Sequence, residues 1–239
     1  MQSHDIQINQ PGRDGFINRY IEFSLTMVFH TKQRLSLNVN RENKRKKMEK
    51  ILSTGSYGIC LFSLDVLQDF LKKEKLKSKK LLEVFQKKPD CYVAALKEGA
   101  WVPFVQLDSV EYVIKLDGCE PSFSDEWEQK MECDGFNIEI MDTLWITDIG
   151  AFTAFEGEEF IGNDEISYET LDNEKLYSGF KYYVDSGKYL VSIRGFARRE
   201  QLDFPNPNYG FAFSLVKVDA FSGFKNPREE IYDFNVANM

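Results

Sequence analysis

Carboxylates are the chemical groups that this sequence holds in excess. Residues 117–174 include 18 acidic residues and one basic residue, Lys130, and the same stretch contains Trp127, Trp145 and several Phe and Tyr residues. Two opposed carboxylates in an aromatic-lined cleft are what a glycoside hydrolase needs. Because no pair is singled out by its spacing, a carboxylate-based, glycosidase-like hydrolase is the alternative interpretation and not the preferred one.

Most other catalytic chemistry lacks the residues that it requires. The two histidines, His4 and His30, both precede Met48, so a domain that begins near Met48 has no histidine for nucleophile activation, acid–base catalysis or zinc binding. The stretch Gly55-Ser56-Tyr57-Gly58 lacks the spacing of a phosphate-binding loop and predicts a turn before a strand. The four cysteines are scattered, which predicts reduced thiols. We therefore expect no cofactor and no metal, and we favour a binding function over an enzymatic one.

Charge divides the chain into two unlike parts. Residues 1–90 carry 18 basic and 10 acidic side chains, whereas residues 91–239 carry 12 basic and 28 acidic ones. The basic part includes the run of residues 41–47, directly before Met48. We interpret residues 1–47 as a basic N-terminal arm or as extra strands, and residues 48–239 as a single α+β domain.

Hydrophobic periodicity predicts helices first and strands afterwards. Leu64, Leu67 and Leu71 lie on one face of an amphipathic helix, and a second helix is predicted over residues 78–88, where Pro89 would stop it. From residue 90 onward the period is two residues, which is typical of half-buried strands. The predicted strands cover residues 90–96, 101–107, 110–116, 136–141, 144–152, 177–184, 188–196 and 209–218.

The order of these elements predicts the fold class. Many short strands without helices between them indicate an α+β fold, with a predominantly antiparallel β-sheet or sandwich and a helical pair packed on one side. Asp185-Ser186-Gly187 predicts a hairpin loop between two of the strands. In the last strand Tyr209, Phe211 and Phe213 share one face, which predicts an aromatic inner surface.

The acidic excess also predicts an electrostatic surface. Like charges that are concentrated on one surface accelerate the encounter with a basic partner. The alternative is that these residues only keep a β-rich protein in solution. The predicted partner-binding residues are Asp125, Glu126, Trp127, Glu128, Glu156, Glu158, Glu159, Asp164 and Glu165, with Trp127, Phe155 or Phe160 as aromatic anchors.

In general character the chain resembles the bacterial immunity proteins, which are small, acidic, cytoplasmic and without catalytic groups, and which bind a toxin domain. The resemblance implies a non-enzymatic binding module that neutralises a basic toxin or nuclease domain. A ligand-binding or scaffold domain is a further alternative. Nucleic acid is disfavoured as a partner because phosphates would meet the net charge of −16 in residues 91–239. The sequence has no uninterrupted apolar stretch of about 18 residues, so we expect no membrane partner and a cytoplasmic location.

Overall fold

The computed structural model describes residues 49–239, and the predicted basic arm or extra strands of residues 1–47 lie outside the described residues. The described part contains three α-helices and ten β-strands. The helices are α1 (Leu64–Lys73), α2 (Leu81–Lys87) and α3 (Pro89–Glu98). The strands are β1 (Ile51–Ser53), β2 (Gly58–Phe62), β3 (Val102–Val105), β4 (Glu111–Leu116), β5 (Trp127–Ile140), β6 (Thr143–Asp148), β7 (Glu165–Glu169), β8 (Lys175–Tyr183), β9 (Gly187–Arg198) and β10 (Tyr209–Val218). Between Glu49 and Met239 no helix combines the length and the apolar character that crossing a membrane requires.

The ten described strands form two sheets of five strands each. The first sheet has the order β1-β4-β10-β9-β5, in which β4 and β10 run parallel and the other neighbours run antiparallel. The second sheet has the order β3-β2-β6-β8-β7 and is antiparallel throughout.

One apolar core lies between the two sheets. Ile59 and Ile146 of the second sheet pack in the same cluster as Val191, Phe211 and Phe213 of the first, and all five are 0% exposed. Phe211 and Phe213 belong to β10, so the predicted aromatic inner surface of this strand is confirmed. Burying aromatic side chains of this size is a large part of what holds the two sheets together.

A second apolar core lies between the second sheet and the helices. Phe62 of β2 and Trp145 of β6 pack there with Leu67 of α1, Phe85 of α2 and Ala95 of α3. Residues 49–239 therefore form three layers, namely the first sheet, the second sheet and the helices. The predicted α+β class, with a predominantly antiparallel sandwich and helices on one side, is confirmed.

Residues 90–96 form most of α3 and not the predicted strand. Pro89 stands at the first turn of the helix, where its missing N–H would have had no helical partner. Tyr92, Ala95 and Leu96 are buried at helical spacing. A short apolar run fits either period. Pro89 follows the end of α2 at Lys87, as predicted, and it also begins α3. The predicted helical pair is therefore a group of three helices.

Residues 185–187 do not form the predicted hairpin. β8 pairs with β6 and β7 in the second sheet, whereas β9 pairs with β10 and β5 in the first. The connection therefore crosses from one sheet to the other. Because β8 and β9 each bury one face against the core between the sheets, both show the same local pattern as the two strands of a hairpin. The local sequence therefore does not distinguish a hairpin from a connection between two packed sheets.

Candidate binding cleft and acidic face

The first predicted contact group, residues 125–128, lies at the start of β5 in the first sheet, where cations surround it. An Oε2 atom of Glu126 lies 2.9 Å from a guanidinium nitrogen of Arg198. Glu128 lies 2.8 Å from the Nζ atom of Lys130, whose hydrogen bond lowers the pKa of Glu128. Local cations therefore offset much of the negative charge of this group.

The second group, Glu156, Glu158 and Glu159, lies at the short 3-10 helix Gly157–Phe160 that follows β6. Glu156 forms an ion pair with Lys79 at 2.7 Å. Among residues 49–239, no ion pair involves Glu158 or Glu159. All three carboxylates are exposed, so this group presents net negative charge to solvent.

The third group, Asp164 and Glu165, lies at the start of β7 in the second sheet. Asp164 lies 2.9 Å from the Nζ atom of Lys181 and accepts a hydrogen bond of 3.1 Å from the hydroxyl of Tyr183. Both hydrogen bonds lower the pKa of Asp164, and the one from Lys181 has the larger effect. Glu165 forms an ion pair of 3.0 Å with Lys175. Neighbouring lysines therefore partly compensate the negative charge of the third group.

The structure brings the second and third groups together and separates the first from them. β5 is an edge strand of the first sheet and lies against β2 and β3. The opposite edge strand, β1, lies against β8, which neighbours β7 in the second sheet. Residues 125–128 and residues 164–165 therefore lie at opposite sides of the sandwich.

We call residues 156–174 the acidic face. This segment contains eight acidic residues and no basic residue, and all eight acidic residues are exposed. Three of them form the ion pairs described above with Lys79, Lys181 and Lys175. The other five have no ion pair within the described part of the chain: Glu158, Glu159, Glu169, Asp172 and Glu174.

The predicted aromatic anchors are buried. Trp127 is 6%, Phe155 is 7% and Phe160 is 3% exposed, so these rings fill the interior and are not available to a partner. Two tyrosines at the acidic face are exposed instead. Tyr168 lies within it and is 48% exposed, and Tyr183, whose hydroxyl donates a hydrogen bond to Asp164, is 68% exposed.

A cavity of about 520 Å³ opens beside the acidic face, and we call it the first cavity. Its wall comes from four segments that are distant in the sequence: residues 53–55 after β1, residues 109–111 before and in β4, residues 168–176 around the turn between β7 and β8, and residues 204–209 before β10. Its lining includes Glu111, Tyr168, Glu174, Phe204 and Tyr209.

A second cavity of about 320 Å³ adjoins the first, and Ser53, Gly55 and Tyr168 line both. We call the two together the Tyr168 cleft. The second cavity is rich in hydroxyl groups and also includes Glu159 of the acidic face. Its hydroxyl-bearing residues other than those shared with the first cavity are Ser56, Thr147, Thr153 and Ser178.

Asp148 holds the turn between β1 and β2 that forms part of both cavity walls. Its Oδ2 atom accepts hydrogen bonds from the backbone N–H groups of Gly55 at 2.6 Å and Ser56 at 3.0 Å. Its Oδ1 atom accepts one from the N–H of Gly150 at 2.5 Å. Asp148 is 6% exposed, so this carboxylate is a structural acceptor that fixes the turn.

Glu111 gives the first cavity an unusual electrostatic character. Burial raises the pKa of Glu111, the charge of Glu174 raises it further, and a hydrogen bond from the hydroxyl of Ser53 lowers it. Among residues 49–239, no Lys, Arg or His lines the first cavity. The cavity is therefore a place where negative charge is concentrated without a compensating cation in its wall.

Glu111→Gln is expected to raise the free energy of unfolding at pH 7. Because the folded state raises the pKa of Glu111, the protonated form stabilises the fold fully below the unfolded pKa of about 4.3, and this contribution is lost as the pH rises through the folded pKa. Glutamine keeps the neutral state at every pH. Urea unfolding should show the variant to be more stable than the wild type at pH 7, with a smaller advantage at pH 4. Equal advantages at the two pH values would contradict this account, and Glu158→Gln serves as the exposed control.

Sequence reasoning missed the Tyr168 cleft because its wall is assembled from distant segments. Residues 205–208, Pro-Asn-Pro-Asn, are recognisable as a loop, and Glu111 as a polar residue on an alternating strand. Neither signal says that the two lie beside Tyr168. The aromatic and proline content of residues 204–209 is the one local hint of a lined surface.

Comparison of the chain with protein-family models, with curated proteins and with solved structures found no match.

Proposed function

We propose that the protein is a non-enzymatic binding module that captures a basic protein partner through the acidic face. The observation that carries the proposal is the imbalance of charge in residues 156–174. Of the eight exposed carboxylates in this segment, three form ion pairs with lysines from other segments. The other five have no ion pair within the described residues. Uncompensated surface charge of one sign steers and selects a partner of the opposite sign.

Exposed apolar side chains support the same surface. Ile161 is 63%, Tyr168 is 48% and Tyr183 is 68% exposed, and Leu171 is fully exposed. Protein interfaces combine apolar and aromatic contacts with a charged rim, and tyrosine is enriched in them. The acidic face offers both kinds of contact within one stretch of chain and the strand beside it.

The partner class that fits this charge is a nuclease toxin domain. A nuclease must hold phosphates, so its substrate-binding surface is basic. A protein that covers such a surface with carboxylates prevents the nucleic acid from binding. This is the role of the bacterial immunity proteins, to which the chain is similar in character.

Reversing charge on the acidic face is expected to abolish capture of the partner. The triple variant Glu158→Lys, Glu159→Lys and Glu169→Lys replaces three carboxylates that lack an ion pair in the described structure. We expect affinity for the captured basic protein to fall by at least about tenfold, and wild-type binding to weaken as salt is raised. The measurement is affinity capture from the source cell, followed by titration of the purified partner.

The control changes net charge by the same amount at other exposed places. It carries Glu132→Lys in β5 together with Asp219→Lys and Glu230→Lys. This variant should bind like the wild type. Equal loss in both variants would mean that net charge alone is sensed, and unchanged binding of the first variant would refute the acidic face as the contact surface. Neutralising Asp125 and Glu128 tests the first predicted group separately.

One observation favours a second candidate, the carboxylate-based hydrolase. Glu111, with its raised pKa, and Glu174 line the same cavity together with aromatic rings, which is the type of site that a glycosidase uses. Such an enzyme would release reducing sugar from an oligosaccharide, and Glu111→Gln would abolish the release.

A further inference from the structure

The first cavity has a composition suited to an organic cation. Glu111 and Glu174 supply two carboxylates, and Tyr168, Phe204 and Tyr209 supply three aromatic rings. Within residues 49–239 neither carboxylate has an ion pair, and no cationic side chain lines the cavity. Aromatic faces attract cations and carboxylates bind them by charge-assisted hydrogen bonds, so both kinds of group favour the same ligand.

Among cations, this lining favours a guanidinium group. The guanidinium group is planar and weakly hydrated, stacks on aromatic rings and hydrogen-bonds to carboxylates through several N–H groups. A hard metal cation is held mainly by carboxylate oxygens, and no group of three or more His, Cys, Asp or Glu side chains that could hold a metal ion occurs among residues 49–239. A volume of about 520 Å³ leaves room for the side chain that carries the group.

The second cavity adds polar groups for the chain that continues from such a side chain. Thr147 is 1% exposed, and its Oγ1 atom has no hydrogen-bond partner among the described residues. Buried polar atoms in native proteins are normally hydrogen-bonded, so an unpartnered hydroxyl in a cavity wall indicates a place for a ligand group. Ser56, Thr153 and Ser178 supply further hydroxyls in the same cavity.

We propose that the Tyr168 cleft binds an extended segment of the basic partner, with an arginine side chain in the first cavity and the adjoining backbone along the second. This inference rests on the proposed function, because it names the group through which the partner engages the acidic side of the molecule. The arginine stacks on the aromatic lining and donates hydrogen bonds to Glu111 and Glu174, and the second cavity offers its hydroxyls to peptide N–H and C=O groups.

The test is a titration of the full-length protein with acetyl-Gly-Arg-Gly-amide, followed by NMR chemical shifts. The matched probe replaces arginine by citrulline, which has the same shape and no charge. We expect saturable binding of the arginine peptide and at least about tenfold weaker binding of the citrulline peptide, because the charge-assisted bonds are lost.

Matched variants place the peptide in the first cavity. Glu111→Gln and Glu174→Gln are each expected to weaken arginine-peptide binding about fivefold or more, whereas Glu132→Gln, at an exposed position of β5 outside both cavities, should leave it unchanged. Tyr168→Ala should weaken binding, and Phe224→Ala, at an exposed ring outside both cavities, should not. Thermal unfolding of each variant shows that a lost signal does not come from a lost fold.

Equal binding of the arginine and citrulline peptides would overturn the inference, and so would binding of a neutral oligosaccharide in place of the arginine peptide. Because the titration needs no partner protein, its failure is separate from failure of the proposed function. If the peptide does not bind but charge reversal on the acidic face still abolishes capture, the arginine site is wrong and the acidic face stands. If the peptide binds as expected but capture survives charge reversal, the arginine site stands and the partner surface is wrong.

Discussion

Phe62→Ala is expected to lower the free energy of unfolding by about 3–5 kcal/mol, the range that removal of a fully buried Phe side chain produces. Phe62 is 0% exposed and lies at the centre of the core between the second sheet and the helices. Its ring makes edge-to-face contacts with those of Phe152 and Phe160, with centroids 5.2 Å apart in both cases. Phe155 is a third neighbour, at 6.1 Å. Removing the ring opens a cavity in this core, and the surrounding side chains can relax only partly to fill it.

Urea unfolding followed by far-ultraviolet circular dichroism measures this loss. The control is Phe224→Ala, at a ring that is 37% exposed, for which we expect a change of less than about 1 kcal/mol. Equal shifts of the unfolding midpoint in the two variants would contradict the packing of the helices on the second sheet. Phe62→Leu should fall between the wild type and the alanine variant.

Asp148→Ala is expected to destabilise the protein by about 2 kcal/mol or more, because three backbone N–H groups lose a charged acceptor. The N–H groups of Gly55 and Ser56 lie in the turn between β1 and β2, and that of Gly150 lies in the 3-10 helix Ile149–Phe152, which follows β6. The same turn lines the Tyr168 cleft, so binding of the arginine peptide should weaken as well.

Hydrogen exchange locates this effect. The amides of Gly55, Ser56 and Gly150 should exchange faster in Asp148→Ala, while amides in the middle of β9 keep their protection relative to global stability. Asp69→Ala, at an exposed carboxylate of α1, should change stability by no more than about 0.5 kcal/mol. Unchanged exchange at the three amides would show that the carboxylate is not their acceptor.

The strands that the sequence predicts well are those that bury one face. β9 shows this most clearly, because its buried and half-buried residues alternate over residues 188–198. In β4 and β10 the alternation is only partial, since residues 112–114 and 210–213 are buried in succession, but Phe211 and Phe213 lie in the core as predicted. β2 is buried along its whole length, so buried and exposed residues do not alternate in it, and a two-residue period does not predict this strand. The two-residue period does not predict β7 either, for the opposite reason: four of its five residues are exposed, and only Ile166 is half-buried.

Pairing partners and helix boundaries need information that is not local. The strands on both sides of residues 185–187 show the local pattern that predicts a strand. Whether they pair with each other or join two different sheets depends on which distant strands hydrogen-bond to them. The predicted turn before β2 is confirmed, and Asp148, which ends β6, supplies the acceptors that hold it.

For the candidate site, the sequence predicts which residue types are present but not where the fold places them. The sequence reveals an acidic excess around Glu156 and Asp164, and the structure joins these two groups through β7 and the loop before it. It does not reveal that residues 125–128 lie across the sandwich, because that depends on sheet order. Nor does it show which aromatic residues are exposed, since Trp127 and Tyr168 have similar acidic neighbours in the chain.

Site-specific photocrosslinking tests the central claim, that a basic protein sits on the acidic face, most directly. A benzophenone amino acid replaces Leu171, which is fully exposed on this face, and in a second protein it replaces Val216 of β10, which is 57% exposed on the first sheet. The account predicts a crosslink from position 171 to a basic protein and none from position 216. A partner that crosslinks from position 216 and not from 171, or that carries net negative charge, would contradict it.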